Sequence, residues 1–502
     1  MHDNNPVQIV DTNHLTAPIA SNSLYDSRRN IYEGVRECTP EVTICVQAYN
    51  RLEKTKRCVE SILKYTQDIS YELLLLDHGS EDGTLEYFKS VLHPCKKVVH
   101  ITKNLGPQYV TGLSMRLFSG RYYALVTNDT IVTTNWLSNL LRCLKSDSRI
   151  GMVVPGSSNV SNLQEIPLLF SSHEEMQEKA AIYNQSDSRK WEQRLRVVPI
   201  ACVIKREVID LTGIYDVGFF HDFPEDDFSL RVRRAGYKLM VCMDTFIHHD
   251  HDFRHGEDKN LQIFQLSLEQ GRKNFEEKYK GLDSWADMND YEPYLIQNFP
   301  QKKPPLAPDI LGVDVACGLS VLQIKNELRH RGIVNATMSA FTSDAKYLCD
   351  LQTICDEIAC DRIERIHDFL ENRHYDYIVL GKSINTYAEI PRLLRALLGA
   401  LNPGGTLFLK LRNCQDVISY LTMMGQTFPL EEFVSVITLT QFNQILQLLK
   451  VSSCKIMNIP HQMDPKYQKV LRSALGNSRL ANDVETAFQG LMTKEYAYCI
   501  TK

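Results

Sequence analysis

The chain has 502 residues, of which 43% are hydrophobic and 23% charged, with a formal net charge of -5. That length exceeds one ordinary core and predicts at least two domains, and the near-balanced charge gives no footing for a nucleic-acid or anionic-membrane partner. No stretch reaches the roughly 18 uninterrupted apolar residues of a membrane span, and the N-terminus MHDNNPVQIVDTNH lacks the basic and apolar regions of a signal peptide, so the expectation is a soluble, cytoplasmic protein.

Residues 1–40 are polar and aperiodic and read as an arm able to pack on a neighbour. From Glu41 onward β-rich runs alternate with helical stretches: VTICVQAY, LEKTKRCVESILKYT, YELLLLDHGS, DGTLEYFKSVL and KVVHITK. Strands and helices alternating at these lengths predict a mostly parallel sheet covered on both faces. YYALVTNDT is a further buried strand and NWLSNLLRCLKS the helix after it. Ligands of open α/β sheets bind beyond the carboxyl ends of strands, which puts Asp77 and Asp129, each closing an apolar run, where a ligand would sit. The stretch from Ser171 to Arg194 is polar and helix-prone and reads as an insertion over the sheet rather than part of it. Four prolines between Asn298 and Asp309 predict a short, stiff linker. The expected division is therefore an arm at 1–40, a first domain at 41–297, a linker at 298–309 and a second α/β domain at 310–502. In that last part DILGVDVACG, GIVNATMS, YDYIVLGKS and GGTLFLKL read as strands, and the segment from Asn413 as helical and polar, with QFNQILQLLK an amphipathic helix. The 14 cysteines include no CxxC pair, and Cys45, Cys202 and Cys242 sit in apolar runs, which predicts reduced, buried thiols.

Three features carry chemistry. Asp129, after VTN at a strand end, can ligate a hard divalent ion that carries phosphate oxygens; an isolated NDT serves equally as a turn or cap. FIHHDHDFRH sets His248, His249, His251 and His255 behind an apolar run, and spacing alone does not choose a ligand among them. FFHDFPEDDFSLRVRRAGYK crowds Glu225, Asp226 and Asp227 ahead of Arg231, Arg233 and Arg234. Acidic residues in a first helical turn favour the macrodipole, and neighbouring negative charges raise one another's pKa, which suits a group that must take a proton.

In order and spacing, VTICVQAYNRLEKTKRCVESIL, LLLLDHGSEDGT, NLGPQYVTGL, YYALVTNDTIVTTNWL, ACVIKREVIDLTGIYDVGFF, PEDDFSLRVRRAGYK and the HH pair resemble the nucleotide-sugar glycosyltransferases of family 2, which have the GT-A fold, over about residues 41 to 255. The resemblance implies that Ala48, Tyr49, Asn50 and Arg51 line the nucleobase pocket. It implies that Asp77 accepts the ring N–H of a uracil, and that Asn104, Gly106, Asn128 and Asp129 belong to the nucleotide-sugar site. For Asp77 the plain structural reading is an Asx turn ahead of Gly79. Asp129 resembles the second acid of the family's DxD motif, whose first position is Thr127 here, so Mn²⁺ or Mg²⁺ would be held through Asp129 with His248 or His249. The family usually reads Glu-Asp-x-Asp before its late helix. An ungapped match puts Glu225 at the catalytic Asp and Asp227 at the last Asp, whereas a one-residue slip pairs Glu225 with Asp226, so the base stays open between Glu225 and Asp226.

ILGVDVACGLS resembles the first motif of Rossmann-like S-adenosylmethionine methyltransferases. Asp314 and Gly318 match, but Ala316 and Ser320 replace the outer glycines, and the acid expected after the second strand is missing from VNATMSAF. S-adenosylmethionine is accordingly not an expected cofactor. The whole reads as a metal-dependent inverting glycosyltransferase moving a sugar from a UDP-sugar to a protein, a flagellin-like or bacteriocin-like peptide, or a soluble glycan in a bacterial cytoplasm. The attached methyltransferase-like domain has lost catalysis and binds an acceptor, braces the first domain or joins two copies as a homo-oligomer. A bifunctional glycosyltransferase and methyltransferase, and a non-catalytic binding module built on both folds, are the alternatives.

Overall fold

Alternating strands and helices dominate the computed structural model, which describes residues 40–219, 223–251, 258–425, 434–451, 453–478 and 483–502 and divides into two compact units between Asn289 and Asp290. Residues 1–39 of the expected arm, and His255, lie outside the described residues.

The first unit begins with β1 (Val42–Ala48), α1 (Leu52–Tyr65), β2 (Tyr71–Asp77), α2 (Thr84–Ser90), β3 (Lys96–His100), α3 (Pro107–Leu117) and β4 (Tyr122–Thr127). There follow the short β5 (Thr130–Ile131), α4 (Trp136–Ser146), β6 (Ile150–Ser157), α5 (His173–Tyr183), β7 (Trp191–Arg194) and β8 (Ala201–Lys205). The unit closes with α6 (Arg206–Thr212), α7 (Pro224–Arg234), β9 (Lys238–His249) and α8 (Asp258–Lys278). The strands form one nine-stranded sheet in the order β3-β2-β1-β4-β8-β6-β9-β5, with β7 paired to β9. β7 therefore extends the sheet antiparallel to β9, Trp191 opposite Cys242. The 171–194 stretch is thus partly sheet, which corrects the expectation of an insertion lying over it.

β1, β2, β3 and β4 run parallel, with Ala48 level with Asp77 and Gln47 with Thr127. Strands covered on both faces need apolar side chains on both, and the LLLL of β2 supplies them. Leu73 and Leu75 join a core with Val59, Ile62, Trp136 and Leu140, while Leu74 and Leu76 join a second core with Tyr123, Phe228 and Val232. All four leucines are fully buried, each worth about 1.5–3 kcal/mol of transfer free energy. Among the described residues every cysteine is free, and burial pushes the Cys45 and Cys202 thiols up to about 12, so they pack rather than react.

The second unit carries α9 (Pro293–Gln297), β10 (Asp309–Val313), α10 (Leu319–His330), β11 (Thr337–Thr342), β12 (Glu357–Cys360), β13 (Tyr375–Leu380), β14 (Leu401–Arg412), β15 (Ser453–Pro460) and β16 (Thr493–Thr501). Its sheet order is β12-β11-β10-β13-β14-β16-β15, with β10 to β14 parallel and β16 antiparallel to both neighbours. This is a Rossmann-like sheet with the reversed penultimate strand of the methyltransferase fold. The segment after Asn413, expected to be helical, contributes these last two strands. In the proline-rich stretch Phe299 is buried, its ring stacked on Tyr377 at 5.1 Å.

Candidate active site

The carboxyl ends of β1, β2 and β4 form one edge, and the chain returns to it from β9. β5 pairs antiparallel with the end of β9, Thr130 opposite His249, and the Asp250 N–H donates to the Asp129 carbonyl at 2.8 Å. Lys54 and Arg57 of α1 pin Asp250 from the other side, the Arg57 guanidinium at 2.7 Å from its carboxylate and the Lys54 ammonium on its carbonyl. Asp129, His249 and His251 are thereby gathered so that one ligand atom of each lies within 4.8 Å of the others. His249 Nε2 stands 3.5 Å from Asp129 Oδ1 and His251 Nδ1 3.7 Å from Oδ2. Two ligands held at ~2.1 Å from one ion stand about 3.0–3.5 Å apart, so the spacing suits a single cation better than direct hydrogen bonds. The His249 Nδ1–H donates to the Asn159 carbonyl at 3.0 Å, which turns Nε2 toward the carboxylate, able to carry a proton against it or, with that proton displaced, to offer its lone pair to an ion.

Burial raises the Asp129 carboxyl, but the His249 imidazole facing it, with Thr127, outweighs that and holds the group well below the usual carboxylate range. Burial lowers His249, and Asp129 more than restores it, leaving it raised. The Arg51 guanidinium, on a side chain 55% exposed, lies 3.7 Å from Asp129 Oδ2. Thr127, at the first position of the DxD pattern, shares a hydrogen bond with Thr130 at 2.8 Å.

His248 goes elsewhere. Successive strand residues face opposite sides, and its Nδ1 shares a 2.6 Å hydrogen bond with Ser158 while its ring meets Phe170 edge-on at 5.1 Å. The candidate ligand set is therefore Asp129, His249 and His251 in place of Asp129, His248 and His249. Manganese titration of the apo protein checks this: His251→Ala is expected to weaken binding by at least about 10-fold, and His248→Ala to leave it unchanged.

The residues expected around a nucleotide form a connected set. The Asn128 amide donates to Thr55 Oγ1 at 3.0 Å and to the Asn50 carbonyl at 3.4 Å; the Asn50 N–H donates to Ser80 Oγ at 2.8 Å, and the Ser80 N–H to Asp77 Oδ1 at 3.2 Å. Asn50 and Arg51 both have left-handed backbone, at φ 54° and 61°, where β1 turns into α1. Tyr49 is half-exposed, its ring 6.2 Å from His78, and Ala48 is buried with its carbonyl accepting from the His78 N–H. The Gly106 N–H donates to Asn104 Oδ1, and the Leu105 N–H to His78 Nε2 at 3.0 Å, which ties that loop to the end of β2. Asp77 is fully buried, with Oδ2 2.6 Å from His100 Nδ1.

The acidic triplet divides by environment. Pro224, the first residue of α7, follows a left-handed Phe223 (φ 71°), a start that pre-sets the helix. Asp226 is buried against Arg196, whose Nε and NH2 both reach its carboxylate. Burial raises its carboxyl, Arg196 pulls the other way, and Asp227 adds to the rise. Asp227 is buried too, bonded to Arg231 at 2.7 Å and to Lys278 and Tyr279 of the last turn of α8 and just beyond. Glu225 alone of the three is only partly buried. β8 runs antiparallel to β4, with Ala201 level with Val126 and the Thr127 N–H donating to the Ile200 carbonyl at 3.0 Å, and Arg196, the anchor of Asp226, lies in the segment that leads into β8. Arg196→Ala, which strands the Asp226 charge in the interior, is expected to cost about 3–5 kcal/mol in urea unfolding, more than any exposed substitution nearby.

In the second unit, Asp314 and Ala316 both adopt φ 48°, and Gly318 φ 92°, in the loop after β10. Asp314 Oδ1 accepts the Ser343 N–H at 2.6 Å and its hydroxyl at 2.8 Å, and Oδ2 accepts the Tyr387 hydroxyl at 2.9 Å. A Cβ on Gly381, at the end of β13, would lie 2.3 Å from the Asp314 carbonyl oxygen, so the loop sits directly on that strand end.

Comparison with known proteins bears on the first unit. Residues 43–210 match the model for glycosyl transferase family 2. The match holds Asp77 and Asp129 and stops before Glu225, His249 and His251. With the sheet described above it makes this unit a family 2 glycosyltransferase domain with a GT-A-like α/β fold. Protein y4gI of Sinorhizobium fredii is 29% identical over 245 residues, 44% of this chain and 26% of that protein, so the chain spans about a quarter of that relative's length. A mannosyltransferase from Pyrobaculum calidifontis, solved with GDP-mannose and Mn²⁺, aligns over 55% of this chain and 76% of its own at 17% identity and a TM-score of 0.38. A SAM-dependent methyltransferase from Archaeoglobus fulgidus aligns over 46% of this chain and 99% of its own at 13% identity and a TM-score of 0.31. Scores this low settle nothing about fold, which stands on strand order and register.

Sequence reasoning named His251 in the histidine cluster without choosing it, and passed over Asn159, Arg196 and His100. For His251 a local signal was available: strand alternation carried two residues past the end of β9 at His249 groups 249 with 251 and leaves 248 on the other face. Arg196 and Asp226 are 30 positions apart, a pairing that no local pattern announces.

Proposed function

We propose that the first unit transfers a sugar with inversion from a nucleotide-sugar, a UDP-sugar in the simplest case, to an acceptor hydroxyl on a protein, peptide or soluble glycan. The observation that carries this is the Asp129, His249 and His251 cluster at the strand edge of a family 2 domain. A divalent ion bound there supplies charge neutralisation for a departing diphosphate. Asp129, His249 and His251 hold it, and Asn159 fixes the His249 ring. Arg51 can turn its guanidinium from Asp129 onto phosphate oxygens. Glu225 takes the proton of the acceptor hydroxyl as that oxygen bonds to the anomeric carbon, on the face opposite the bond that breaks to the diphosphate; one displacement inverts the centre. Asp226 and Asp227 hold α7 in place rather than reacting.

The second unit, on this reading, has given up S-adenosylmethionine. Its Asp314 carboxylate is spent on Ser343 and Tyr387, a left-handed alanine stands where a glycine is expected, and Phe341 near the end of β11 is buried against Phe369. Calorimetry with S-adenosylmethionine is expected to show no heat; micromolar binding would favour the bifunctional alternative. For the transfer itself the test is UDP release from a panel of UDP-sugars with Mn²⁺. Folded protein that releases UDP from none of them would favour a binding module.

A further inference from the structure

Side chains on one side of α1 meet both segments that carry the metal cluster. Cys58 Sγ donates to the Thr127 carbonyl at 3.4 Å and Thr55 Oγ1 accepts from the Asn128 amide at 3.0 Å, while Lys54 and Arg57 reach Asp250. Asp250 lies between the two ligand histidines and gives no atom to the cluster itself. All of its polar groups are engaged: the N–H donates to the Asp129 carbonyl at 2.8 Å, the carbonyl accepts from the Lys54 ammonium, Oδ2 accepts from Arg57 at 2.7 Å, and Oδ1 lies 3.6 Å from Lys54 Nζ. Arg57 Nε is buried with no hydrogen-bond partner among the described residues, so the guanidinium gives up part of its own bonding to make this contact. His249 belongs to the ladder, opposite Thr130, and its ring is held by the Asn159 carbonyl; His251 stands two residues past that last pair.

We propose that Arg57, with Lys54, is a positioning residue of the metal site: by holding Asp250 it sets where the His251 imidazole stands relative to Asp129 and His249. This rests on the metal-site reading above. A ladder fixes the backbone only as far as its last pair, and beyond it each residue keeps conformational freedom that a ligand loses when it binds. Fixing Asp250 on α1 removes that freedom during folding, so the third ligand is already in place when an ion arrives. The same helix holds Thr127 and Asn128 on the other side of Asp129. Both halves of the cluster are therefore referred to one rigid element, and Arg57 acts on the ion through His251 without touching it. Partners of this outer kind commonly set metal affinity within a factor of 10 to 100.

Calorimetric titration of the EDTA-treated full chain with MnCl₂ tests this, for wild type, Arg57→Ala, Arg57→Lys, Asp250→Asn and His251→Ala, and for Arg57→Ala and Asp250→Asn each combined with His251→Ala. Arg57→Ala and Asp250→Asn are each expected to weaken Mn²⁺ binding by about 10-fold, and Arg57→Lys, which keeps the charge on Asp250, to recover part of that loss. In the His251→Ala background either change should cost less than about 2-fold, because the residue it was positioning is gone. A full 10-fold loss on top of His251→Ala, or wild-type affinity in both Arg57→Ala and Asp250→Asn, overturns the assignment. Asp250→Asn carries the test if the arginine variant does not fold. A wild type that binds no Mn²⁺, or a His251→Ala variant that binds it unchanged, overturns the metal-site reading and the assignment with it.

Discussion

Asp129→Ala is expected to lower manganese affinity by at least about 100-fold and to abolish metal-dependent binding of the donor, both read by calorimetry on EDTA-treated protein. Ligand-orienting neighbours alone commonly cost 10- to 100-fold, and Asp129 is itself the carboxylate of the set. Among the described residues no second acid joins the set: Thr127 fills the other DxD position and is hydrogen-bonded to Thr130. What remains is two imidazoles beside the Arg51 cation, which repels a divalent ion. Two nitrogens and one oxygen also suit Mn²⁺ better than Mg²⁺, so manganese should restore the wild type at lower concentration. Wild-type-like metal affinity in the alanine variant would take Asp129 out of the site.

The second large effect is expected at Glu225. Glu225→Gln should lower kcat by about 10²–10⁴-fold, the usual worth of a general base, and leave donor affinity unchanged. Its other role, complementing the macrodipole in the first turn of α7, is worth only about 0.3–1 kcal/mol, so the variant should fold and any large loss belongs to chemistry. Asp226→Asn separates the cases: with that carboxylate buried on Arg196, its loss should appear first in stability. Equal turnover of wild type and Glu225→Gln would move the base elsewhere.

Much of this was legible because its signals are local. The runs VTICVQA, YELLLLD and YYALVT became β1, β2 and β4, and the acids that close or follow them lie at one edge, as strand chemistry requires. In the second sheet β10, β11, β13 and β14 were readable, whereas the four-residue edge strand β12 (EIAC) was not. Beyond β14, SCKIMNIP and TKEYAYCIT carry enough polar residues to read as helix or loop, and only pairing with β14 and each other makes them strands. The same limit applies at the site. The acidic triplet gave no internal clue to which carboxylate stays accessible, because that depends on Arg196 and Lys278, distant in the chain. Asp77 closes its strand as a ligand-binding acid should, yet its parallel neighbour His100 covers it.

The most direct test is a crystal of the protein soaked with UDP and MnCl₂. The account predicts one manganese ion bound by Asp129, His249 and His251 and by diphosphate oxygens, with Glu225 facing the same cavity. An ion bound through His248, or a nucleotide lodged away from the ends of β1, β2 and β4, would contradict it.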